Sequence, residues 1–290
     1  MSAALRAEGL VRVFSSGAGE VRAVDGVDLE LVAGELLVVR GASGAGKTTL
    51  LNLLGVLDRP TEGRVVIGDR DTTGLSESAL ADIRRDMLGF VFQSFGLVPV
   101  LSARENVELP LRIAGVSAAE RTERVDEALA LVGLSGQADQ RPAELSGGQQ
   151  QRVGIARAVV ARPRILIADE PTGQLDSRTA ATIMDLLGTL AHEQGLAAIV
   201  STHDPLLVAR ADRIAELHNG RLTLGGGPGG GPRATRAVGA SGGSPASDLD
   251  SEPEVEAAAA SAAEPIPATA ADASHPLTRA ELRRRRTGAP

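Results

Sequence analysis

Apolar and polar side chains alternate over residues 5–13 and 27–32, where Leu10, Val11 and Val13, then Val27, Leu29 and Leu31, give the period-2 signal of half-buried strands. A glycine-rich turn, Ser15 to Gly19, lies between them. Glu35 to Arg40 reads as a short apolar strand, and Thr49 to Gly55 opens a helix with leucines on its face. Gly63 to Gly68 is predicted as a further strand, residues 76–86 as a polar helix, and Leu88 to Gln93 as an apolar run that stops abruptly at a glutamine. From 94 to 162 the period becomes helical. Ser117 to Glu120 has the form of a capping box, and Val125, Ala128, Leu129 and Val132 recur at helical spacing after it. Leu145 to Gln149 reads as a short loop opening a helix from Gln150 to Val160. Two unbroken apolar runs, Arg164 to Asp169 and Ala197 to Ser201, imply strands buried on both faces, as in a parallel sheet.

After Leu224 this patterning ends. Gly225 to Pro232 begins a stretch of Gly, Ala, Ser, Pro and Glu too poor in large apolar residues to fold alone, so residues 225–290 are expected to form a disordered tail. Arg283 to Arg286 form a basic cluster near its end. The alternative is one short basic helix, capped by Thr278 to Glu281, that touches an acidic surface, anionic lipid or ribosomal RNA.

Composition narrows the classes of function. At 290 residues and 43% hydrophobic, the chain has material for one or two domains with a proper core. Phe14, Phe90, Phe92 and Phe95 are its only aromatic residues, too few for a base-stacking surface on single-stranded nucleic acid. Through Leu224 there are 23 basic and 29 acidic residues, which argues against a broad basic face, and no nucleic-acid partner is expected. Without cysteine there is neither a disulfide framework nor a thiolate metal cluster. Neither a signal-peptide core nor a long apolar span is seen, so the expectation is a cytoplasmic protein unless a partner holds it at a membrane.

The candidate chemistry centres on one residue. Among 30 basic residues Lys47 is the single lysine, and it sits in Gly41-Ala42-Ser43-Gly44-Ala45-Gly46-Lys47-Thr48, a complete G-x-x-x-x-G-K-[ST] phosphate loop between a predicted strand and a predicted helix. A compact ammonium on a flexible stem reaches between phosphates where a planar guanidinium would not. Glycines let consecutive backbone N–H groups turn inward as an anion-binding concavity, backed by the positive end of the following helix. Thr48 would offer its hydroxyl to Mg²⁺.

Other polar residues gather where predicted strands end. Asp169 and Glu170 close a buried strand, and strand alternation would turn them to opposite sides, Asp169 toward Mg²⁺ and Glu170 toward an attacking water. Gln93 and His203 close two other strands, each readable as a ligand-edge residue or an ordinary strand end. Phe14, at a loop edge, reads either as a ring that stacks on adenine or as a plug under the turn. Ser146 with Gly147 and Gly148 reads as a second anion site at a helix start or as a simple N-cap.

Together these stretches resemble the ATP-binding subunits of ABC transporters over residues 5–224. The most specific likeness is Leu145-Ser146-Gly147-Gly148-Gln149, similar to the ABC signature, ahead of a Walker B strand ending Asp169-Glu170-Pro171-Thr172. Gly89 to Gln93, Glu105 to Leu111, Ala168 to Gly173 and Thr202 to Pro205 resemble the branch that drives lipoprotein release and macrolide or antimicrobial-peptide export. The resemblance implies an α/β fold: a RecA-like P-loop NTPase core, an antiparallel β subdomain, and an inserted α-helical subdomain at about 94–162, all within residues 1–224. It also implies ATP and Mg²⁺. The phosphates fall to Gly41, Ala42, Ser43, Gly44, Ala45, Gly46, Lys47, Thr48 and Thr49, the metal to Thr48, Gln93 and Asp169, and adenine to Phe14. Glu170 is implied to orient or deprotonate water, Gln93 to match the Q-loop glutamine, His203 the switch histidine and Asp176 the D-loop aspartate. Ser146, Gly147, Gly148 and Gln149 would reach the ATP of a second copy, giving a homodimer around two nucleotides and a separate integral-membrane permease that holds it at the inner face of the cell membrane.

Ala42 and Ala45 depart from the usual phosphate loop at backbone-contact positions, and Gln174 stands where this branch has asparagine. One alternative is an ATP-gated signalling module that drives a membrane partner without transport. Another, a soluble ABC protein acting on DNA or ribosomes, calls for a coiled-coil insertion or a second ATPase unit, and this sequence has neither.

Overall fold

The computed structural model describes residues 3–16, 19–204 and 208–225. Strands β1 (Ala3–Ser16) and β2 (Gly19–Val32) form a long antiparallel hairpin. The strands expected at 5–13 and 27–32 are parts of these longer ones. Register shifts between Ala7 and Leu10, Leu10 and Arg12, and Arg12 and Val13 reset the alternation, so the remainder carries no period-2 pattern in the sequence. On its other edge β1 pairs with β4 (Glu62–Ile67), which pairs with β5 (Arg70–Asp71), giving an antiparallel sheet of order β2-β1-β4-β5.

A second sheet is built from β3 (Leu36–Arg40), β6 (Leu88–Val91), β7 (Ile165–Asp169), β8 (Ala197–Ser201), β9 (Arg213–His218) and β10 (Arg221–Gly225) in the order β10-β9-β3-β8-β7-β6. Its pairs are parallel except β9–β10. Alternation within the continuous apolar runs divides the core in two. Leu36, Val38, Leu166, Ala168, Ala198 and Val200 face one cluster, with α3 (Ala103–Ile113), α4 (Ala118–Leu131), α5 (Gly147–Val159) and α6 (Ser177–Gln194). Leu37, Val39, Ile165, Ile167, Ala197 and Ile199 face another, with α1 (Lys47–Leu54), α2 (Glu77–Met87) and the antiparallel sheet. Both faces are thus covered, which is why these strands read as unbroken apolar runs. An α/β core with an antiparallel sheet on one side and helices at 94–162 on the other is the architecture that the resemblance implies.

Some local details differ from expectation. Ser117 accepts from the Glu120 N–H at 3.4 Å, which is one half of the expected capping box. The complete boxes are Ser102 with Glu105, opening α3, and Ser146 with Gln149, opening α5. The second starts α5 at Gly147, three residues earlier than the sequence suggested, because Ser146 and Gln149 satisfy each other's backbone N–H groups. The expected disordered tail and its basic cluster lie outside the described residues, apart from Gly225 at the end of β10.

Asn106, fully buried in α3, ties down the loop before it. Its carboxamide oxygen accepts from the Val98 N–H at 2.8 Å, and its nitrogen donates to the carbonyls of Val98, Leu101 and Ser102 at 3.2, 3.1 and 2.9 Å. Asn106→Leu leaves buried backbone groups unpaired and is expected to lower unfolding stability by about 2–4 kcal/mol. The check is a urea melt, which should show a lower midpoint with an unchanged slope.

Candidate functional site

Because β3, β8, β7 and β6 run parallel and side by side, their carboxyl ends lie along one edge of the sheet. Apolar runs buried on both faces admit polar side chains only where they end, and open α/β sheets collect ligands at that edge. The edge carries, in order across the sheet, the loop from Gly41, then Ser201 to His203, then Asp169 and Glu170, then Phe92 and Gln93.

The loop after β3 leads into α1 through Gly46, which has φ 102° and ψ 8°. A side chain there would collide with the Ala23 carbonyl of β2 as well as strain the backbone. The Ala45 carbonyl accepts from the Gly220 N–H at 3.3 Å, so the β9–β10 turn braces the loop from outside. No side chain caps α1 and no acidic residue lies in its first turn, leaving its N–H groups and positive end facing the loop. Lys47 is only 6% exposed. Its ammonium donates to the carbonyls of Gly41 and Ala42 at 2.9 and 3.1 Å and lies 3.4 Å from Glu170 Oε1.

Glu170 sits one residue beyond β7 with φ 42°, so strand alternation does not set its direction. Its carboxylate turns back to Lys47, and the same Oε1 lies 3.5 Å from Nδ1 of His203, whose side chain is 66% exposed. A methyl group at Gly173 would stand 3.1 Å from the Gln93 amide nitrogen and 3.6 Å from Glu170 Oε2, so Gln93 and Glu170 flank a common space. Beside it a cleft of about 150 Å³ is lined by Glu170, Thr172, Thr202 and His203 among others.

Ser201 is the residue that sequence reasoning passed over. Buried at the end of β8 in register with Asp169, it donates to Asp169 Oδ1 at 2.7 Å and accepts from the Glu170 N–H at 2.8 Å. One hydroxyl thereby positions both acids. Its only sequence signal is a serine ending an apolar run, and the pairing partner that gives it meaning is 32 residues away.

Thr48, in the first turn of α1, and Asp169 offer oxygen donors on the side of the sheet where α1 packs. Hard oxygen ligands in small number suit Mg²⁺, which keeps waters and takes phosphate oxygens to complete its shell. Among the described residues no three His, Asp or Glu side chains form a closed cage.

Phe14 lies on β1, opposite Val21 and 43% exposed. The Arg12 guanidinium covers its ring at 4.5 Å and is itself held by Asp58 at 2.8 Å. Ser146 caps α5 and is committed to Gln149. The neighbours of this turn are Thr179, Leu175 and Phe95: a methyl at Gly148 would press on Thr179 Cγ2 at 2.5 Å, and one at Gly147 would touch Leu175 and Phe95 at 3.5 and 3.7 Å. Asp176 caps α6 through the N–H groups of Arg178 and Thr179. The Thr179 hydroxyl, then its N–H, holds the Asp176 carboxyl below the usual carboxylate range. The structure therefore gathers Lys47, Glu170, His203 and Gln93 at one edge, and groups Ser146 to Gln149 with Asp176.

Comparison with known proteins gives the family. The family model described as ABC transporter matches residues 24–173, just over half of the chain. The lipoprotein-releasing system ATP-binding protein LolD of Bordetella avium is 44% identical over 225 residues, covering 78% of this chain and 98% of that protein. The macrolide export ATP-binding/permease protein MacB of Brucella melitensis is 45% identical over 218 residues, covering 75% of this chain and 34% of that protein. The chain thus spans about a third of the macrolide-export relatives it matches. Among solved structures, the dimeric bacterial ABC transporter cassette MJ0796 is 43% identical with a TM-score of 0.70, over 75% of this chain and 96% of that one. A phosphate loop and a signature helix on one chain, in a fold shared with cassettes of this kind, place the protein in the ABC transporter family as an ATP-binding subunit and an ATPase.

Proposed function

We propose that residues 1–224 form an ATPase domain that dimerises head to tail around two MgATP, hydrolyses them, and drives a separate integral-membrane permease in export or in extraction of a substrate from the membrane. The carrying observation is that Lys47 and His203 converge on one Glu170 oxygen, whereas the neighbours of Gly147 and Gly148 are Thr179, Leu175 and Phe95. A signature displayed away from its own phosphate loop is useful when a second copy presents it. The dimeric cassette MJ0796 supports this arrangement, since one of its dimeric structures is of a post-hydrolysis state bound to ADP and Pi.

The phosphates lie along residues 41–49, with the N–H groups of the loop and α1 as donors and Lys47 between the β- and γ-phosphates. Mg²⁺, when bound through Thr48, Asp169 and Gln93, neutralises phosphate charge. Ser201 holds Asp169 in place. Glu170 orients or deprotonates the attacking water, and His203 contacts the γ-phosphate. Lys47 leaves Glu170 for the phosphate when ATP enters, so the nucleotide itself frees the carboxylate for water. Phe14 stacks on adenine with the ring face that Arg12 leaves open. Most of the catalysis is positioning and charge stabilisation.

A membrane partner is supported by exposed apolar side chains after Gln93 and at the end of α3: Val98, Val100 and Ile113 are 37%, 73% and 75% exposed. No described helix is long and apolar enough to cross a membrane. In this reading the permease is a separate polypeptide, and the subunit sits at the inner face of the cell membrane through it.

Glu170→Gln is expected to trap an ATP-bound dimer with hydrolysis nearly abolished. Gel filtration with ATP should show the dimer, and a monomer alone would count against the shared site. Lys47→Ala should lose ATP binding, and a titration with nucleotide affinity unchanged would refute the role given to the ammonium.

A further inference from the structure

Arg157, in the last turn of α5, is a partly buried guanidinium whose hydrogen-bond partners among the described residues are backbone carbonyls and not a carboxylate. Burial pushes its pKa down, and charge in such a place is expensive unless something specific holds it. What holds it is backbone. Nη1 donates to the Gly96 carbonyl at 2.5 Å and Nη2 to the Phe95 carbonyl at 3.1 Å, so the fork grips the loop two and three residues after Gln93. Phe95 has φ 60°, a conformation an aromatic residue adopts only where its surroundings enforce it. Further contacts lie on the same face of α5. A methyl at Gly154 would stand 3.3 Å from the Phe95 carbonyl oxygen, and one at Gly147 would meet the Phe95 ring at 3.7 Å. Positions 147, 154 and 157 are separated by about two and three helical turns, so the loop lies along one side of α5 from its signature end to its last turn.

We infer that Arg157 is a positioning residue that locks the Gln93 loop to the signature helix, so that the amide of Gln93 and the N-terminus of α5 move as one body. It touches neither nucleotide nor metal and acts through Gln93. The inference rests on the reading of Gln93 as part of the hydrolytic site.

Arg157→Lys keeps the charge and loses the fork, since one ammonium cannot hold both carbonyls in the same geometry. In the full chain it is expected to lower kcat about tenfold while the Kd for ATP changes less than about twofold. A merely structural role would lower the melting temperature and loosen ATP binding together. The deciding measurement is a double-mutant cycle with Gln93→Ala. If Arg157 acts through Gln93, then Arg157→Lys placed in the Gln93→Ala background lowers kcat by less than about twofold more. Multiplying losses, or an unchanged kcat in Arg157→Lys, would overturn the inference. Gln93→Ala alone tests the underlying reading, because full activity there refutes the role of Gln93 whatever Arg157 does. Should Arg157→Lys fail to fold, Arg157→Gln retains an amide donor without a buried charge and enters the same cycle with the same expected outcomes.

Discussion

The constraint that governs this molecule is that β3, β7 and β8 are covered on both faces. A strand in that position has no solvent side on which to place a polar group, so polarity is confined to its ends. Parallel pairing then brings those ends to one edge. The phosphate loop, Asp169 with Glu170, and Ser201 to His203 are neighbours for that reason, although more than a hundred residues separate the first from the others. The register that pairs Asp169 with Ser201 turns a buried hydroxyl into the support for both acids.

Charge in the site is balanced within the chain. The Lys47 ammonium is nearly buried and is compensated by two loop carbonyls and one carboxylate oxygen, which His203 also approaches. A buried cation with strong but replaceable acceptors suits an anionic ligand, because a phosphate would offer more charge than the Glu170 carboxylate in its place. The antiparallel sheet contributes by shape. Ala23 crowds the loop at Gly46 and Gly220 donates to the Ala45 carbonyl, so β2 and the β9–β10 turn hold the loop in place.

The helical region is joined to this edge by the loop after Gln93. Asn106 secures one end of that loop through Val98, and Arg157 grips the other through Phe95 and Gly96. Both attachments are to backbone: Arg157 donates to two carbonyls, and Asn106 donates to carbonyls and accepts from one N–H. The loop's path is therefore fixed by side chains of α3 and α5, whatever the identity of its own exposed residues.

Much of this was legible in the sequence, for reasons that can be named. Chemistry that depends on consecutive residues shows in a string: the phosphate loop around Lys47, the Ser146 to Gln149 turn, the carboxylates ending an apolar run. Unbroken apolar runs also announced the two-sided burial of β7 and β8. What stayed hidden depends on residues distant in the chain. Bulges in the β1–β2 hairpin erased the period that would have shown its full length. The direction of Glu170 follows from a left-handed backbone and an ammonium 123 positions earlier, where strand alternation had suggested otherwise. Ser201 and Arg157 look ordinary where they stand, since their partners are backbone and side chains brought close only by folding. Sequence alone determined which groups are present and which elements carry them. Tertiary structure decided which groups share an electrostatic environment, because that depends on distance through space, and strand register and helix packing set that distance.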